Sequence, residues 1–412
     1  MVKFKWESDF KETLFGEIPK DWNERKVDEI GDVGGGTTPS TKLKDYWDGD
    51  VAWITPNDLA SHGFRYISRG ERNITERAVR ENSLKVYPSG TVLLTSRAPI
   101  GYVAIARNPV TTNQGFKNII PKDGTNGEFL YYLLKNIVEY LRDIAGGSTF
   151  SELTATTLRE VKVPYPSSTE QSHIATILSW FEGLIENKTK QNEILEKTSM
   201  AIFKRWFIAF ELFKEGEFEP SELGMTPKGW KIRRLGDVCE IIMGQSPPSK
   251  YYNEDGEGLR FIQGKGQLGR YVPNTNVYCS NVVKLAKLND VLVTVRAPVG
   301  ELNIADNKYI IGRGLASLRS KYWVFVYLYL RVNNELLRAL ERGTTFDAIT
   351  TQELETFPLL IPPQPILEKF HQLTEPLFQK IILNQRQITV LRKIRSALLP
   401  LLIFGKLRVE EI

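Results

Sequence analysis

Two stretches of the chain carry the same long pattern of apolar and polar positions. From Ser168 to about Phe210, apolar residues recur at spacings dominated by three and four: Ile174, Ile177, Phe181, Leu184, Leu195, Ile202 and Trp206. That is the period of one helix stripe or of a coiled-coil seam. The seam turns polar between Lys188 and Asn192. From about Leu367 to Leu402 the pattern returns with Phe370, Leu373, Leu377, Ile381, Ile388, Leu391 and Leu398. Aligned at Asn187 and Asn384, an offset of 197, Ile194 falls on Leu391 and Ala201 on Leu398. One long helix is therefore predicted twice, each time after a globular segment. Two readings of Asn187 and Asn384 stay open: polar residues that set helix register within the seam, or residues of an outer face without special duty. Phe203, Trp206 and Phe207 read as core, part of which can instead meet a partner.

The segments ahead of these helices read as mixed α/β. Val92 to Ser96 and Val291 to Val295 are apolar runs of strand length, each ending in an Arg-Ala-Pro-x-Gly turn. Phe129 to Ile144 and Val324 to Leu340 have helical periodicity, and Thr154 to Arg159 and Thr350 to Glu355 read as short helical turns. Val161 to Pro166 and Phe357 to Pro363 close each segment as extended chain halted by proline. Ser168 and Gln171 have capping-box spacing at the start of the first long helix. Phe213 to Pro220, charged and broken by Gly216 and Pro220, reads as a linker. The division predicted is a globular domain over 1–166, a long helix over 167–213, a second globular domain over 214–363 and a second long helix over 364–412.

These halves are copies of one unit. Gly16, Pro19, Lys20 and Trp22 recur as Gly224, Pro227, Lys228 and Trp230 at an offset of 208, and at that offset Gly36 and Pro39 fall on Gly244 and Pro247, and Trp53-Ile54 on Phe261-Ile262. LLTSRAPIGYVAIA at 93–106 matches LVTVRAPVGELNIA at 292–305, and Gly115 matches Gly314, at an offset of 199. Gly147-Ser148-Thr149-Phe150 matches Gly343-Thr344-Thr345-Phe346 at 196. The falling offset places nine extra residues of the first half between about Leu59 and Leu93 and three more between Gly115 and Gly147. Insertions of this kind fall in loops, where function is carried on a rigid frame. Antiparallel packing of the two helices under internal pseudo-two-fold symmetry would make a bar of roughly 58 Å with a globular domain at each end. Two similar readers at fixed separation imply a target with two separated parts, and duplex DNA is such a target.

Bulk properties narrow the class. The 412 residues suit two or three domains, and 42% hydrophobic with 25% charged residues is a globular composition. The longest apolar runs, such as Trp323 to Leu330, are too short to span a bilayer, and Met1 to Phe10 lacks a signal-peptide core, so no membrane association and a cytoplasmic location are expected. Cys239 and Cys279 alone provide neither a disulfide framework nor a zinc site. A net charge of +5 permits a nucleic-acid partner without arguing strongly for one. The last helix is locally basic, with Lys380, Arg386, Arg392, Lys393, Arg395, Lys406 and Arg408. Gly264 to Gly269 spells G-x-G-x-x-G but runs into Arg270-Tyr271-Val272-Pro273, not a helix start, and reads as a surface loop. There is no P-loop and no Asn-Pro-Pro-aromatic run, and His62, His173 and His371 are scattered.

The glycine-rich loops are the candidates for contact with nucleic acid. Glycine lets backbone N–H groups approach phosphates, and nearby hydroxyls and amides add hydrogen bonds. Gly36, Thr37, Thr38, Lys42 and Lys44 serve the first half in this reading; Gly244, Gln245, Ser246, Lys250, Tyr251 and Lys265 serve the second. The bland alternative is a tight turn between strands. Arg97 and Arg296 occupy equivalent turns, where a shared phosphate contact or a structural hydrogen bond competes with base reading. Asn113, Gln114 and Lys117 stand opposite Arg313 and its neighbours across the repeat; positions that differ suit base discrimination, and an exposed polar hairpin is the alternative.

In its ordered, duplicated motifs the chain resembles the specificity subunit of type I restriction–modification enzymes. The resemblance is carried by FGEIPKDW and LGMTPKGW, GGGTTPS and GQSPPS, both RAPxG turns, GGSTFSEL and GTTFDAIT, the EQSHIATIL helix start and the tail LRKIRSALLPLLIFGKL. The second helix departs from it, starting PPQPILEKF without a Glu-Gln pair. The resemblance implies two target-recognition domains that each read one part of a split double-stranded DNA sequence. It implies helices that act as spacer and as docking surface for two methyltransferase subunits, through which restriction subunits join. S-adenosylmethionine, ATP and Mg would sit on those partners; this chain would hold no cofactor, no metal and no catalytic residue. The rival reading is a protein-binding adaptor with repeated domains.

Overall fold

The computed structural model describes residues 2–97, 99–146, 151–340 and 348–412. The chain divides into two compact units, Met1–Glu186 with Val390–Ile412, and Asn187–Thr389.

In the first unit a five-stranded sheet runs in the order Gly31–Gly35, Phe116–Pro121, Val92–Thr95, Val103–Ala106, Tyr66–Ile67. Its central strand is buried along its whole length, because both faces are covered. Val92 and Leu94 pack on the helical side with Phe129, Leu130 and Leu133, while Leu93 packs on the other side with Ile54, Ala104 and Phe116. A strand buried on both faces reads as a continuous apolar run instead of an alternation. Beside it, Val110–Thr112 pairs in parallel with Trp47–Ile54. The helix Gly127–Asn136 is capped by Asn126, whose Oδ1 accepts from the backbone N–H groups of Glu128 and Phe129.

The second unit repeats the plan. Glu240–Met243, Leu315–Arg319, Val291–Thr294 and Leu302–Ile304 form an antiparallel sheet, and Leu259–Ile262 pairs in parallel with Tyr309–Ile311. Val291 and Val293 face a core with Phe325 and Leu328; Leu292 faces another with Ala305 and Ile311. The extra residues of the first half include the short helix Glu76–Glu81.

Both long helices form, Ser168–Phe207 and Gln364–Ile403. Within the second unit their segments run antiparallel: Lys188 bonds Gln387, Asn192 meets Asn384, and Trp206 lies 5.9 Å from Phe370 between ring centroids. The buried stripe of the first helix falls at seven-residue steps on Leu178, Ile185, Asn192 and Ser199. This corrects two positions. Leu184, expected in the seam, is exposed, as is Leu373 of the second helix, because each lies one residue away from a buried position. The register layer differs too: Asn384 is fully buried, but Asn187 is exposed and accepts from Gln191 of its own helix. The partner of Asn384 is Asn192. Antiparallel packing selects neighbours by their distance from the crossing, which an alignment of the two copies does not report.

Three boundaries also change. At the first long helix Ser167, not Ser168, caps Glu170, and Gln171 turns inward to donate to the carbonyls of Gly124 and Pro166 while accepting from Asn126 N–H. The expected linker contains a hairpin strand, Phe218–Ser221 against Gly224–Pro227, repeating Phe10–Thr13 against Gly16–Pro19. The last helix stops at Ile403, where Gly405 takes φ +68°, a conformation that favours glycine. Leu407–Glu411 then returns as a strand on Lys3–Trp6, with Leu407 and Val409 buried.

Candidate nucleic-acid interface

In each unit three chain segments meet at the ends of the strands: the loop after the first sheet strand, the end of the parallel pair, and the turn that follows it. In the first unit Thr37 N donates to Thr112 O at 2.9 Å, Asn113 N to Ile54 O at 3.1 Å, and Ser96 N to Gly115 O at 2.8 Å. In the second, Gln245 N donates to Ile311 O at 2.9 Å, Gly312 N to Ile262 O at 2.8 Å, and Val295 N to Gly314 O at 3.0 Å. Every donor and acceptor of one set is the repeat counterpart of the other. The framework is main chain, so the side chains upon it are free to differ.

Close packing explains the glycines at the base of each loop. A Cβ on Gly36 would lie 2.1 Å from Thr112 O, and one on Gly244 would lie 2.1 Å from Gly312 O. The loop approaches its neighbour only without a side chain there.

The groups displayed differ between units. In the first, Thr38 Oγ1 donates to Gln114 Oε1 at 2.5 Å, and Asn113 Oδ1 accepts from Gly115 N at 2.9 Å, which closes the turn. Thr37 and Gln114 are exposed, as are Lys42 and Lys44 on the following loop. In the second, Gln263 Nε2 donates to Ser246 Oγ at 2.9 Å, and Arg313 N donates to the same oxygen at 3.1 Å. Gln245, Lys250 and Arg313 are exposed, and Tyr251 lies half-buried beside Lys250. The neighbouring Tyr252 donates its hydroxyl to Pro247 O; burial holds that hydroxyl above its ordinary pKa against the pull of Arg313.

Two basic residues lie differently from the expected free contacts. Lys117 is buried, its ammonium 3.3 Å from Ser96 Oγ and 3.2 Å from Glu152 Oε1. It is not displayed on an exposed hairpin, because it lies in the buried part of Phe116–Pro121, paired with Gly35 on one side and Leu94 on the other. Lys265 is exposed, but its ammonium sits 3.2 Å from Glu301. Arg97 approaches the same Glu152 at 4.0 Å, whereas Arg296 and Arg313 have no ion-pair partner among the described residues. Residues 265–267 make one tight helical turn with no long helix behind it, consistent with a surface loop in place of a dinucleotide site. Gly147 to Phe150 and Gly343 to Phe346 lie outside the described residues.

Ser96, Glu152 and Gln263 belong to the cluster without having been singled out in the sequence. Gln263 had a signal: it follows Ile262, the counterpart of Ile54, and so adjoins the shared frame. Glu152 lay within the repeated GGSTFSEL stretch, but its role depends on where Lys117 points. No group of three His, Cys, Asp or Glu among the described residues could hold a metal ion, and no helix there is long and apolar enough to cross a membrane.

Comparison with known proteins accounts for this doubled frame. The type I restriction modification DNA specificity domain matches residues 19–197 and 227–393. The chain is 49% identical to the type I restriction enzyme MjaIX specificity subunit of Methanocaldococcus jannaschii, over 100% of this chain and 99% of that protein. It is 32% identical to the putative MjaX specificity subunit of the same organism over the same shares. In fold it resembles the crystal structure of a type I restriction–modification S subunit from M. genitalium, with a TM-score of 0.66 at 18% identity, covering 96% of this chain and 99% of that one. Duplicated loop clusters on two mixed α/β units, long helices and full-length similarity converge on one conclusion: the chain belongs to the DNA specificity subunits of type I restriction–modification systems.

Proposed function

We propose that each globular part reads one segment of a split double-stranded DNA target through its loop cluster, with residues 1–166 and 214–363 as readers. Residues 167–213 and 364–412 form an antiparallel coiled-coil spacer under pseudo-two-fold symmetry and give two methyltransferase subunits their docking surface. Restriction subunits join through those partners, which carry S-adenosylmethionine, ATP and Mg. This chain contributes recognition and no catalysis.

The observation that carries the reading is the identical main-chain frame bearing different displayed groups. Gly36, Thr37, Thr38, Gln114 and Asn113 face one segment, with Lys42, Lys44 and Arg97 toward the backbone. Gly244, Gln245, Ser246 and Arg313 face the other, with Lys250, Tyr251, Lys265 and Arg296 around them. Lys117 supports the first cluster from beneath. Main-chain sameness keeps both readers in one pose, and side-chain difference lets them prefer different bases.

The test is a domain exchange. Replacing residues 10–165 by the matching segment of a relative changes one part of the recognised sequence only. A change in both parts refutes modular reading. A salt-sensitive, sequence-dependent shift with a randomised duplex library separates DNA reading from a protein adaptor. Purified chain with S-adenosylmethionine, Mg²⁺ and ATP leaves DNA unmodified and uncut; label transfer that persists after removal of all methyltransferase overturns the assignment of chemistry to the partners.

A further inference from the structure

The loop cluster of the second unit leads into a cavity of about 470 Å³ whose wall carries Lys265, Arg270, Arg331 and Arg338. Arg270 reaches Glu193 at 3.0 Å and Arg331 reaches Glu196 at 2.6 Å, so these two have carboxylates of their own. Among the described residues Lys265 and Arg338 do not. Both converge on one oxygen, Glu301 Oε1, at 3.2 and 3.4 Å. Among the described residues four cations thus face three carboxylates, and the surplus lies at Glu301.

Both cationic side chains are more than half exposed, 55% for Lys265 and 53% for Arg338. Burial does not fix them; the shared oxygen does. Two cations gathered within a few ångströms around one anionic oxygen have the arrangement that a phosphodiester oxygen takes between two donors. Exposed ion pairs of this kind hold weakly, so an incoming phosphate can displace the carboxylate.

The cavity adjoins the reading loops. Gly264, just before Lys265, has its Cα 3.4 Å from where a Cβ on Gly314 would lie. Glu301 O accepts from Thr294 N at 3.0 Å, beside Val295, which donates to Gly314 O. A duplex seated on Gln245, Ser246 and Arg313 therefore has this cavity at its flank. In the first unit Arg338 recurs as Arg142, which donates to Ile100 O, but the repeat counterparts of Glu301 and Lys265 are Tyr102 and Asn57. The pairing of two cations on one carboxylate oxygen is therefore not demanded by the shared frame.

We propose that Lys265 and Arg338 form a clamp for the DNA backbone beside the segment read by the second unit, with Glu301 as a displaceable stand-in for the phosphate. This rests on the DNA-reading function proposed above. The test uses the full chain assembled with its modification subunits and a target duplex, titrated across salt concentrations. The double variant K265A/R338A keeps the base preference while the slope of log affinity against log salt falls in magnitude by about 0.9, since the two cations share one phosphate and each lost phosphate contact removes about 0.9. E301Q removes the competitor and tightens binding at low salt by roughly fivefold, an advantage that shrinks as salt rises. Y102A in the first unit leaves the slope unchanged. A slope equal to that of wild type in the double variant, or weaker binding by E301Q with an unchanged melting temperature, overturns the clamp. Should K265A/R338A fail to fold, K265A alone is expected to lower the slope in the same direction by a smaller amount, and no change there is equally fatal. Absence of sequence-dependent binding by wild type would instead refute the reading function itself.

Discussion

Replacing Asn384 with leucine tests the buried polar layer of the second unit. Asn384 is fully buried; its Nδ2 donates to Asn192 Oδ1 at 2.9 Å and to Gln191 Oε1 at 3.2 Å, and Asn192 is itself buried and donates to Ile381 O at 3.3 Å. N384L removes the Asn192 contact, worth about 1 kcal/mol net, and strands Asn192 Oδ1 away from water, which costs about 1–3 kcal/mol more. N192L costs less, because Asn384 Nδ2 keeps the exposed Gln191. In N192L/N384L no member of the pair is left orphaned, and an apolar pair of similar shape is nearly neutral or stabilising. The expected coupling is about 2 kcal/mol, or roughly a 30-fold change in a local opening constant. A chain of two compact units does not unfold as one step, so the readout is hydrogen exchange of the amides around Asn192 and Asn384. If the two single effects simply add in the double variant, the amides are not a coupled layer and the reasoning fails. If the layer also sets register, N192L/N384L accepts targets with more than one gap length, whereas wild type accepts one.

Three further outcomes are expected. Gly36→Ala drives a Cβ into Thr112 O and costs more than about 1 kcal/mol, abolishing recognition by the first unit while the second still binds its segment; Gly183→Ala, whose Cβ meets nothing, stabilises the helix by about 0.5–1 kcal/mol and serves as the control, both read by melting and half-target binding. Four residues inserted near Lys188 lengthen that helix by about 6 Å and rotate it by roughly 40°, so the unread gap grows by one or two base pairs at about 3.4 Å each while the bases read stay the same; altered bases with an unchanged gap show that the helices do not set the distance. The hydrogen bond from Arg408, followed by backbone bonds from Ser8 and Asp9, holds the Glu7 carboxyl down to about 2, so the folded value is depressed. That contribution is complete above 4.5 and is lost as pH falls from 4.5 toward about 2; melting temperatures across this window should fall steeply for wild type and less steeply for R408M, and equal slopes refute the link.

Periodicity alone determined much of this protein. The spacing of Ile174 and Ile177, and of Phe370 and Ile381, specified long helices because a helix must bury one stripe whatever it packs against. The offsets from Gly36 to Gly244 and from Gly115 to Gly314 located both loop clusters, because a glycine needed for close backbone approach leaves a mark in the sequence itself. The tertiary structure decided what depends on the partner across a contact. Asn187 and Asn384 are equivalent in sequence, yet Asn192 meets Asn384, since antiparallel helices pair residues by distance from their crossing. Lys117 and Arg313 both looked like displayed cations; one turns onto Ser96 and Glu152, the other stays in solvent, and side-chain direction at a sheet end is set by neighbours far away in the chain. The strand Leu407–Glu411 carries too short an alternation to announce itself, and it exists because Lys3–Trp6 offers an open edge whose backbone groups need partners.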